Sequence, residues 1–189
     1  MSSTNQNKCS WCGTDPLYVN YHDEEWGKQV MDDKTLFEFL VLESAQAGLS
    51  WFTILKRREG YRRLFADFDV QKVAEFTDAD VEQIVQDPAI IRHRGKIEAA
   101  IRNAQIFMDI QKEFGSFYNY LYSFLPNKSR IKNQINSMKD ILAETAESKA
   151  IAKDLKKRGM KFFGSTICYA YMQAVGMVND HMVDCDFRN

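Results

Sequence analysis

The chain has 189 residues, of which 45% are hydrophobic and 13% aromatic, enough apolar material for one compact domain or two small lobes that share a core. The formal net charge is −1, so no overall basic field indicates a nucleic-acid partner, although the clusters "KRREGYRR", "RHRGK" and "KKRGMK" can attract phosphates locally. The polar start "MSSTNQNK" lacks the apolar core of a signal peptide, and no apolar run approaches the length of a membrane span.

We therefore expect a cytoplasmic protein without a membrane partner, held in a reducing environment. Four cysteines in such an environment favour a metal site or free thiols over disulfides. Only three prolines and nine glycines interrupt the chain, which favours helices.

The first helix signals lie in the first half of the chain. Asp32 and Asp33 can cap a helix through "KTLFEFLVLESAQAG", which ends at Gly48. Ser50 can cap a second helix, "WFTILKRRE". The segment "TDAD" before "VEQIV" has the form of a capping box with Asp in place of Glu or Gln, and Pro88 ends that helix.

The second half continues the helical pattern. A long amphipathic helix is predicted in "KIEAAIRNAQIFMDIQKEFG", with Ile97, Ile101, Ala104 and Met108 on one face. A short aromatic helix, "SFYNYLYSF", precedes residues 126–137, which are polar and predict a surface loop. Helices are then predicted in "MKDILAETAESKAIAKDLKKRG" and "STICYAYMQAVG". Because no segment shows the alternating hydrophobicity of a β-strand or the turn of a β-hairpin, we predict an all-α fold.

Glu43 departs from the local pattern, because it shares a helix stripe with Leu36, Phe39, Leu40 and Ala47. A buried carboxylate is costly unless it is paired or hydrogen-bonded. Either Glu43 pairs with a core arginine or caps a turn, or it forms the floor of a ligand pocket. The aromatic residues that suit the pocket walls, each of which taken alone is better explained as core packing, are Tyr21, Trp11, Trp26 and Trp51.

Soft metal ligands lie near both chain ends, in "CSWC" and "HMVDC". A set of four thiolates and imidazoles suits tetrahedral zinc. From spacing alone, Cys9, His181 and Cys185 can be joined by either Cys12 or His22, and a chance scatter of these residues without a metal is the alternative. A zinc ion would fasten together two ends that have little core of their own.

The segment between Gly159 and Gly164 predicts a hairpin between two helices. Glycines let backbone N–H groups approach a phosphate, and the start of the following helix adds its dipole. A pair of glycines at this spacing marks any tight turn, but the neighbouring lysines favour binding to a DNA backbone.

Taken together, "DPLYVNYHDEEWG", "LESAQAGLSWFTILKRRE", "IIRHRGKI" and "GMKFFGSTICYAYMQAVGMVNDH" resemble the 3-methyladenine DNA glycosylase I family, from Cys9 to Cys185. The resemblance implies an all-α helix-hairpin-helix DNA glycosylase fold, with residues 1–189 as one unit of two helical lobes and a hairpin element at about 155–178. It implies an enzyme that flips 3-methyladenine out of alkylated double-stranded DNA and excises it by hydrolysis, leaving an abasic site without a lyase step. We expect free 3-methyladenine as product and a monomer in solution.

The resemblance also implies roles for individual residues. It gives the ligands of one structural zinc per chain as Cys9, His22, His181 and Cys185. Glu43 is the candidate catalytic residue, expected to recognise the base and not to attack the sugar. It gives base binding to Tyr21 and Trp51, and the residue pattern described above adds Trp11 and Trp26 as candidate walls. Expected DNA contacts are Gly48, Leu49, Lys157, Gly159, Lys161 and Gly164.

The nature of the substrate limits the mechanism. Methylation at N3 makes adenine cationic and weakens its bond to the sugar, so the departing base is neutral and little acid catalysis is required. Helix-hairpin-helix glycosylases that act on stable bonds resemble one another in "VDTHV", and "VNDHM" places Asn179 at the position of their aspartate. Either Asn179 replaces a catalytic acid, or it shapes the turn after Gly176.

In both cases we expect no useful release of uracil or 8-oxoguanine. Two other functions compete with this one. A non-catalytic zinc module that binds DNA by the hairpin leaves Glu43 unexplained. A zinc hydrolase needs an open position on the metal.

Overall fold

The computed structural model describes residues 6–188, so the first five residues of the polar start and Asn189 lie outside it. Over that range the protein is mostly helical, with ten α-helices and two strands of two residues each. The helices are α1 Pro16–Glu24, α2 Asp33–Gln46, α3 Trp51–Leu55, α4 Arg58–Leu64, α5 Val70–Ala74, α6 Asp78–Gln86, α7 Arg94–Phe114, α8 Phe117–Tyr122, α9 Ala146–Arg158 and α10 Ser165–Ala174.

Several predicted helix boundaries are confirmed. The Asp32 carboxylate accepts a hydrogen bond from the Thr35 amide at 2.8 Å and so caps α2, which ends just before Gly48. Helix α6 begins with the reciprocal hydrogen bonds of a capping box between Thr77 and Asp80. These short polar signals place helix ends because they satisfy backbone N–H groups that have no partner within the helix.

Two predicted helices are wrong in extent. The segment "WFTILKRRE" forms α3 and α4 with a break at Arg57, whose φ and ψ are −104° and 1°. In "MKDILAETAESKAIAKDLKKRG", only the part from Ala146 onward forms the α-helix α9, because Thr145 and Ser148 make a capping box that starts it there. Upstream, Met138–Asp140 form a single 3₁₀ turn.

The all-α prediction misses a small parallel pairing. Strand β1, Ile131–Lys132, pairs with β2, Val178–Asn179, and Ile135 forms a further bridge with Met182. The predicted surface loop at 126–137 therefore holds the C-terminal segment in place. Strands of two residues are too short to show alternating hydrophobicity, so the sequence gives no signal for them.

Helix α2 lies at the centre of the core. All ten residues from Leu36 to Ala45 are buried, which is expected for a helix packed on every side. Helices α3, α7, α8 and α10 pack around it. Between residues 6 and 188, none of the helices combines the length and apolar character that a membrane crossing requires.

Candidate functional site

A cavity of about 230 Å³ lies beside the end of α2. The structure brings all five predicted base-binding residues to its walls, namely Tyr21, Trp51, Glu43, Trp11 and Trp26. Six residues that the sequence analysis did not select complete the lining, namely Tyr18, Gln46, Met138, Ile141, Ala170 and Gln173. The cavity is thus built from the N-terminal segment, α1, α2, α3, the 3₁₀ turn region and α10.

Glu43 is 2% exposed, and its Oε2 has no hydrogen-bond partner among the described residues. The buried Arg58 is paired with a different carboxylate. It donates to Glu38, which is on the same helix as Glu43, at 2.6 Å. The structure therefore does not pair Glu43 with a core arginine. Burial raises the pKa of Glu43 to about 8, since no charge or hydrogen bond compensates the loss of water.

Other polar atoms at the cavity share this lack of partners. The indole N–H groups of Trp11 and Trp51 and the Oε1 atom of Gln46 are buried and unpaired within residues 6–188. A buried polar atom without a partner is costly, so such atoms are rare in folded proteins. Their convergence with Glu43 on one aromatic cavity is typical of a binding site for a ligand that carries its own donors and acceptors.

The aromatic walls are fixed by one another. Trp11 meets Trp26 edge-on with 4.8 Å between ring centroids, and Tyr21 lies 5.4 Å from Trp51. Burial raises the pKa of Tyr21 well above its ordinary value, so its phenol remains protonated. Tyr21 is on α1, which starts at Pro16 with the Asp15 carboxylate as its cap.

The predicted metal ligands lie next to these walls. One ligand atom from each of Cys9, His22 and Cys185 lies within 4.8 Å of the others, and all three residues are buried. The Cys12 thiol instead donates to the Cys9 carbonyl oxygen at 3.1 Å. Of the two sets that spacing allows, the structure thus favours the one containing His22.

Both imidazoles are oriented by their Nδ1 atoms. His22 Nδ1 lies 2.7 Å from Asp23 Oδ1, and His181 Nδ1 lies 3.0 Å from Asn179 Oδ1. The two rings are 4.9 Å apart, and His181 Nε2 is buried without a partner in the described part of the chain. In a metal site, the imidazole nitrogen that does not bind the metal is held by a hydrogen bond of this kind. The cluster can therefore hold a metal ion.

The structure corrects the turn interpretation of Asn179. The left-handed residue there is Gly176, at φ +69°, whereas Asn179 is buried within strand β2. Asn179 Oδ1 also accepts from the His181 amide at 3.1 Å. Neither Asn179 nor Asp180 is among the described residues that line the cavity.

The predicted hairpin is a tight turn between α9 and α10. Gly159 ends α9 at φ +102°, and Gly164 precedes α10 without a side-chain cap. The buried Asn103 of α7 holds the turn, since it donates to the Lys161 carbonyl and accepts from the Lys161 amide at 3.0 Å each. In the sequence, the only indication of these two hydrogen bonds is that Asn103 is a polar residue on an apolar helix face.

A hollow at this turn is basic. It is lined by lysines at 149, 153, 156 and 161 and by Gly164 and Ser165 at the start of α10. Lys157, which the sequence analysis selected, is exposed but lies outside this lining. The lysines face a helix start whose N–H groups carry partial positive charge, so the hollow suits an anion.

The end of α2, next to the predicted DNA contacts Gly48 and Leu49, is connected to this turn through residues 93–96. His93 meets Phe162 edge-on with 5.9 Å between ring centroids. Lys96 donates to the Ala47 carbonyl at 2.7 Å and so holds the end of α2. Gly48, at φ +80°, follows directly, and Leu49 is 41% exposed. The predicted DNA-binding segments are therefore linked by direct contacts.

Some of the unselected cavity residues had a signal. Tyr18 precedes Tyr21 by three positions, and Gln46 follows Glu43 by three, so each shares a helix face with a selected residue. Gln173 is a polar residue among apolar and aromatic residues in the second half of α10. Met138 and Ile141 lie where the sequence predicted a helix, so their approach to the cavity could not be foreseen.

The chain is similar to known proteins over nearly its whole length. A family model described as Methyladenine glycosylase matches residues 11–189. DNA-3-methyladenine glycosylase 1 of Escherichia coli K12 is 49% identical over 178 residues, covering 94% of this chain and 95% of that protein. DNA-3-methyladenine glycosylase of Haemophilus influenzae Rd is 44% identical over 178 residues, covering 94% and 96%. A solved structure of a 3-methyladenine DNA glycosylase I variant in complex with 3-methyladenine has a TM-score of 0.93 at 37% identity, covering 97% of this chain and 98% of that chain.

Proposed function

The chain belongs to the methyladenine glycosylase family, and we propose that its aromatic cavity receives the base extruded from alkylated DNA. The protein is a DNA repair glycosylase that excises 3-methyladenine by hydrolysing the N-glycosidic bond. The observation that carries the assignment to this cavity is Glu43, a buried carboxylate without a partner among the described residues and surrounded by aromatic rings.

The cavity suits a cationic base. Extruding the nucleotide costs a few kcal/mol of stacking, and stacking on an aromatic side chain returns about 1–3 kcal/mol per base. A cation over the face of Trp or Tyr gains further attraction. Because the N3-methylated base leaves as a neutral molecule, holding it in place is sufficient and no strong acid is required at the leaving group.

Glu43 acts in recognition. As a carboxylate it accepts a hydrogen bond from the exocyclic amine or a ring N–H of the base and offsets its positive charge. The unpaired indole N–H groups of Trp11 and Trp51 supply donors for ring nitrogens. No lysine occurs among the described residues that line the cavity, which supports hydrolysis without a lyase step, since a lyase step needs an amine nucleophile.

We propose that Cys9, His22, His181 and Cys185 hold one structural zinc ion. The structure groups Cys9, His22 and Cys185, and the unpaired His181 Nε2 would complete a set of two thiols and two imidazoles, which matches the donors of a closed tetrahedral site. Zinc would join the two ends of the chain and would leave no open position for water. Tyr21 precedes His22 on α1, so the same site would hold one wall of the cavity.

DNA binding is proposed for the surface formed by the turn from Gly159 to Gly164 and the neighbouring segment at Gly48 and Leu49. The lysines of the hollow and the N-terminus of α10 would bind phosphates, and the exposed Leu49 would enter the base stack. In this proposal the chain acts as one unit, since α10 runs from the phosphate site to the cavity, and we propose that this unit is a monomer.

The activity is tested by incubating the protein with methylated double-stranded DNA and identifying the released bases by chromatography. We expect 3-methyladenine and an abasic product that remains unbroken until it is treated with alkali. DNA containing uracil or 8-oxoguanine should release neither base, because those bonds need a stronger catalyst. Retention of all methylated bases by active, folded protein would refute the proposed function.

The DNA surface is tested with matched charge changes. Lys161→Glu should weaken binding to undamaged duplex and reduce its salt dependence, whereas Lys112→Glu at the far end of α7 should not. Lys156→Ala should weaken binding more than Lys157→Ala, because only Lys156 lines the hollow. Equal affinities for Lys161→Glu and wild type would show that the turn does not bind DNA.

A further inference from the structure

Gln173 is a cavity residue whose polarity is set by a neighbouring carboxylate. It lies on α10, and its Nε2 donates to Asp180 Oδ2 at 2.8 Å. Its amide can present either a donor or an acceptor to a ligand, depending on which end is engaged elsewhere. A carboxylate only accepts hydrogen bonds, so the Gln173 nitrogen must face Asp180, and the carbonyl oxygen Oε1 is left for the ligand.

Asp180 is itself held firmly. It is 1% exposed and accepts from Asn133 Nδ2 at 2.7 Å and from the Tyr169 hydroxyl at 2.7 Å, in addition to Gln173. With these donors around it, the carboxylate has a fixed position and keeps its role as an acceptor. The orientation of the Gln173 amide therefore follows from a buried network and does not depend on the ligand.

This matters because Glu43, the acid at the same cavity, does not discriminate in the same way. Glu43 presents a donor when protonated and an acceptor when ionised, so it can match either kind of exocyclic group. The aromatic walls stack on any purine. A group of fixed polarity can separate two purines that carry a donor and an acceptor at the same ring position.

We propose that Gln173, oriented by the positioning residue Asp180, determines specificity by presenting a carbonyl acceptor to the exocyclic amine of 3-methyladenine. This inference rests on the proposed function. Adenine carries an amine donor at C6, whereas guanine carries the acceptor O6. An acceptor placed against O6 leaves both groups unpaired, so N3-methylated guanine is rejected.

The test measures release of both bases from the same methylated DNA, since it contains 3-methyladenine and 3-methylguanine. Gln173→Met keeps the length of the side chain and removes its polarity. We expect the ratio of kcat/KM for 3-methyladenine over 3-methylguanine to fall at least tenfold, chiefly through slower release of 3-methyladenine. Tyr169→Phe removes one donor to Asp180 but leaves the contact with Gln173, so the ratio should stay within twofold of wild type.

Asp180→Asn tests the positioning role, because an amide at 180 can turn a nitrogen toward Gln173 and release its fixed orientation. The ratio should fall as in Gln173→Met, and the melting temperature shows whether the variant is folded. If Asp180→Asn is unfolded, Gln173→Met decides. Equal loss of both bases in Gln173→Met, an unchanged ratio, or a wild type that releases both bases equally would overturn the inference. Failure of wild type to release 3-methyladenine would instead refute the proposed function itself.

Discussion

Two buried carboxylates, Glu43 on α2 and Asp180 after β2, have opposite surroundings. Glu43 is 2% exposed and its Oε2 lacks a partner among residues 6–188, whereas Asp180 is 1% exposed and accepts from Asn133, Tyr169 and Gln173. The pKa of Glu43 is raised to about 8 by burial. The two carboxylates are therefore about equally buried, but Asp180 has hydrogen-bond donors around it and Glu43 Oε2 has none among the described residues.

The presence or absence of hydrogen-bond donors distinguishes a buried carboxylate with a structural role from one with a role in binding. A buried carboxylate surrounded by donors stabilises the fold, because removing it leaves the donors unpaired. A buried carboxylate without donors destabilises the folded protein and persists only where a ligand supplies the missing partner. Gln173 connects the two regions, since it lines the cavity of Glu43 and donates to Asp180.

The largest effect should come from the proposed zinc ligands, two of which follow Asp180 in the chain. Cys185→Ser, or chelation of the wild type, should release about one metal ion per chain and lower stability by about 4 kcal/mol or more, as for loss of a ligand present at about 1,000 times its Kd. The melting temperature should fall by about 8–16 °C. Cys12→Ser is the matched control, because its buried thiol only donates to backbone oxygen. Metal-free wild-type protein with full stability would contradict the zinc proposal.

Asp180→Ala should have the next largest effect on stability. It leaves three donors without their acceptor, of which the Tyr169 hydroxyl is buried, so we expect a loss of about 3 kcal/mol in the free energy of unfolding, measured by urea denaturation. Asp154→Ala is the comparison, since Asp154 also accepts from a tyrosine hydroxyl and one further donor but its side chain is 33% exposed. Equal losses for the two variants would remove the distinction drawn for Asp180.

Glu43 should make stability and lesion binding change with pH in opposite directions. Its folded-state pKa of about 8 lies above the ordinary value of 4.5. Between pH 4.5 and about pH 8, the folded state therefore binds a proton that the unfolded state does not. Its contribution to stability is fully present below pH 4.5 and is lost as pH rises through 8. Affinity for the cationic base should rise over the same range, because the carboxylate that pairs with a cation is then formed.

Both pH effects are measured against Glu43→Gln, which does not titrate. Denaturation midpoints between pH 5 and pH 9, together with binding of methylated duplex, give the two slopes. Parallel pH profiles for wild type and Glu43→Gln would show that Glu43 does not carry the raised pKa.

The smallest effect on catalysis is expected at Asn179. Its side chain orients His181 and does not line the cavity, so Asn179→Ala should slow release of 3-methyladenine by less than the ~10²–10⁴-fold typical of losing a general acid or base. Metal content and melting temperature should fall more clearly than the rate. Complete loss of activity in a folded variant with its metal retained would assign Asn179 a direct role.

The sequence predicted the helical fold well where polar caps mark helix ends, as at Asp32 and Thr77. It placed Glu43 and four aromatic walls in one cavity because a carboxylate on an apolar stripe violates the usual pattern, even though α2 turned out to be buried on all sides. It missed Gln173 and the pairing of β1 with β2. Those features depend on long-range contacts that leave no periodic signal.

The most direct test of the contrast between the two carboxylates is the rate of 3-methyladenine release in a single turnover by Glu43→Gln, measured with its melting temperature. We expect release at least about tenfold slower, from loss of a charge-assisted hydrogen bond of about 1.5–3 kcal/mol, with a melting temperature no lower than wild type. Glu75→Gln, an exposed change of the same kind at the C-cap of α5, should match wild type. Wild-type release by Glu43→Gln, or loss of activity that only follows unfolding, would contradict the assignment of Glu43 to base recognition.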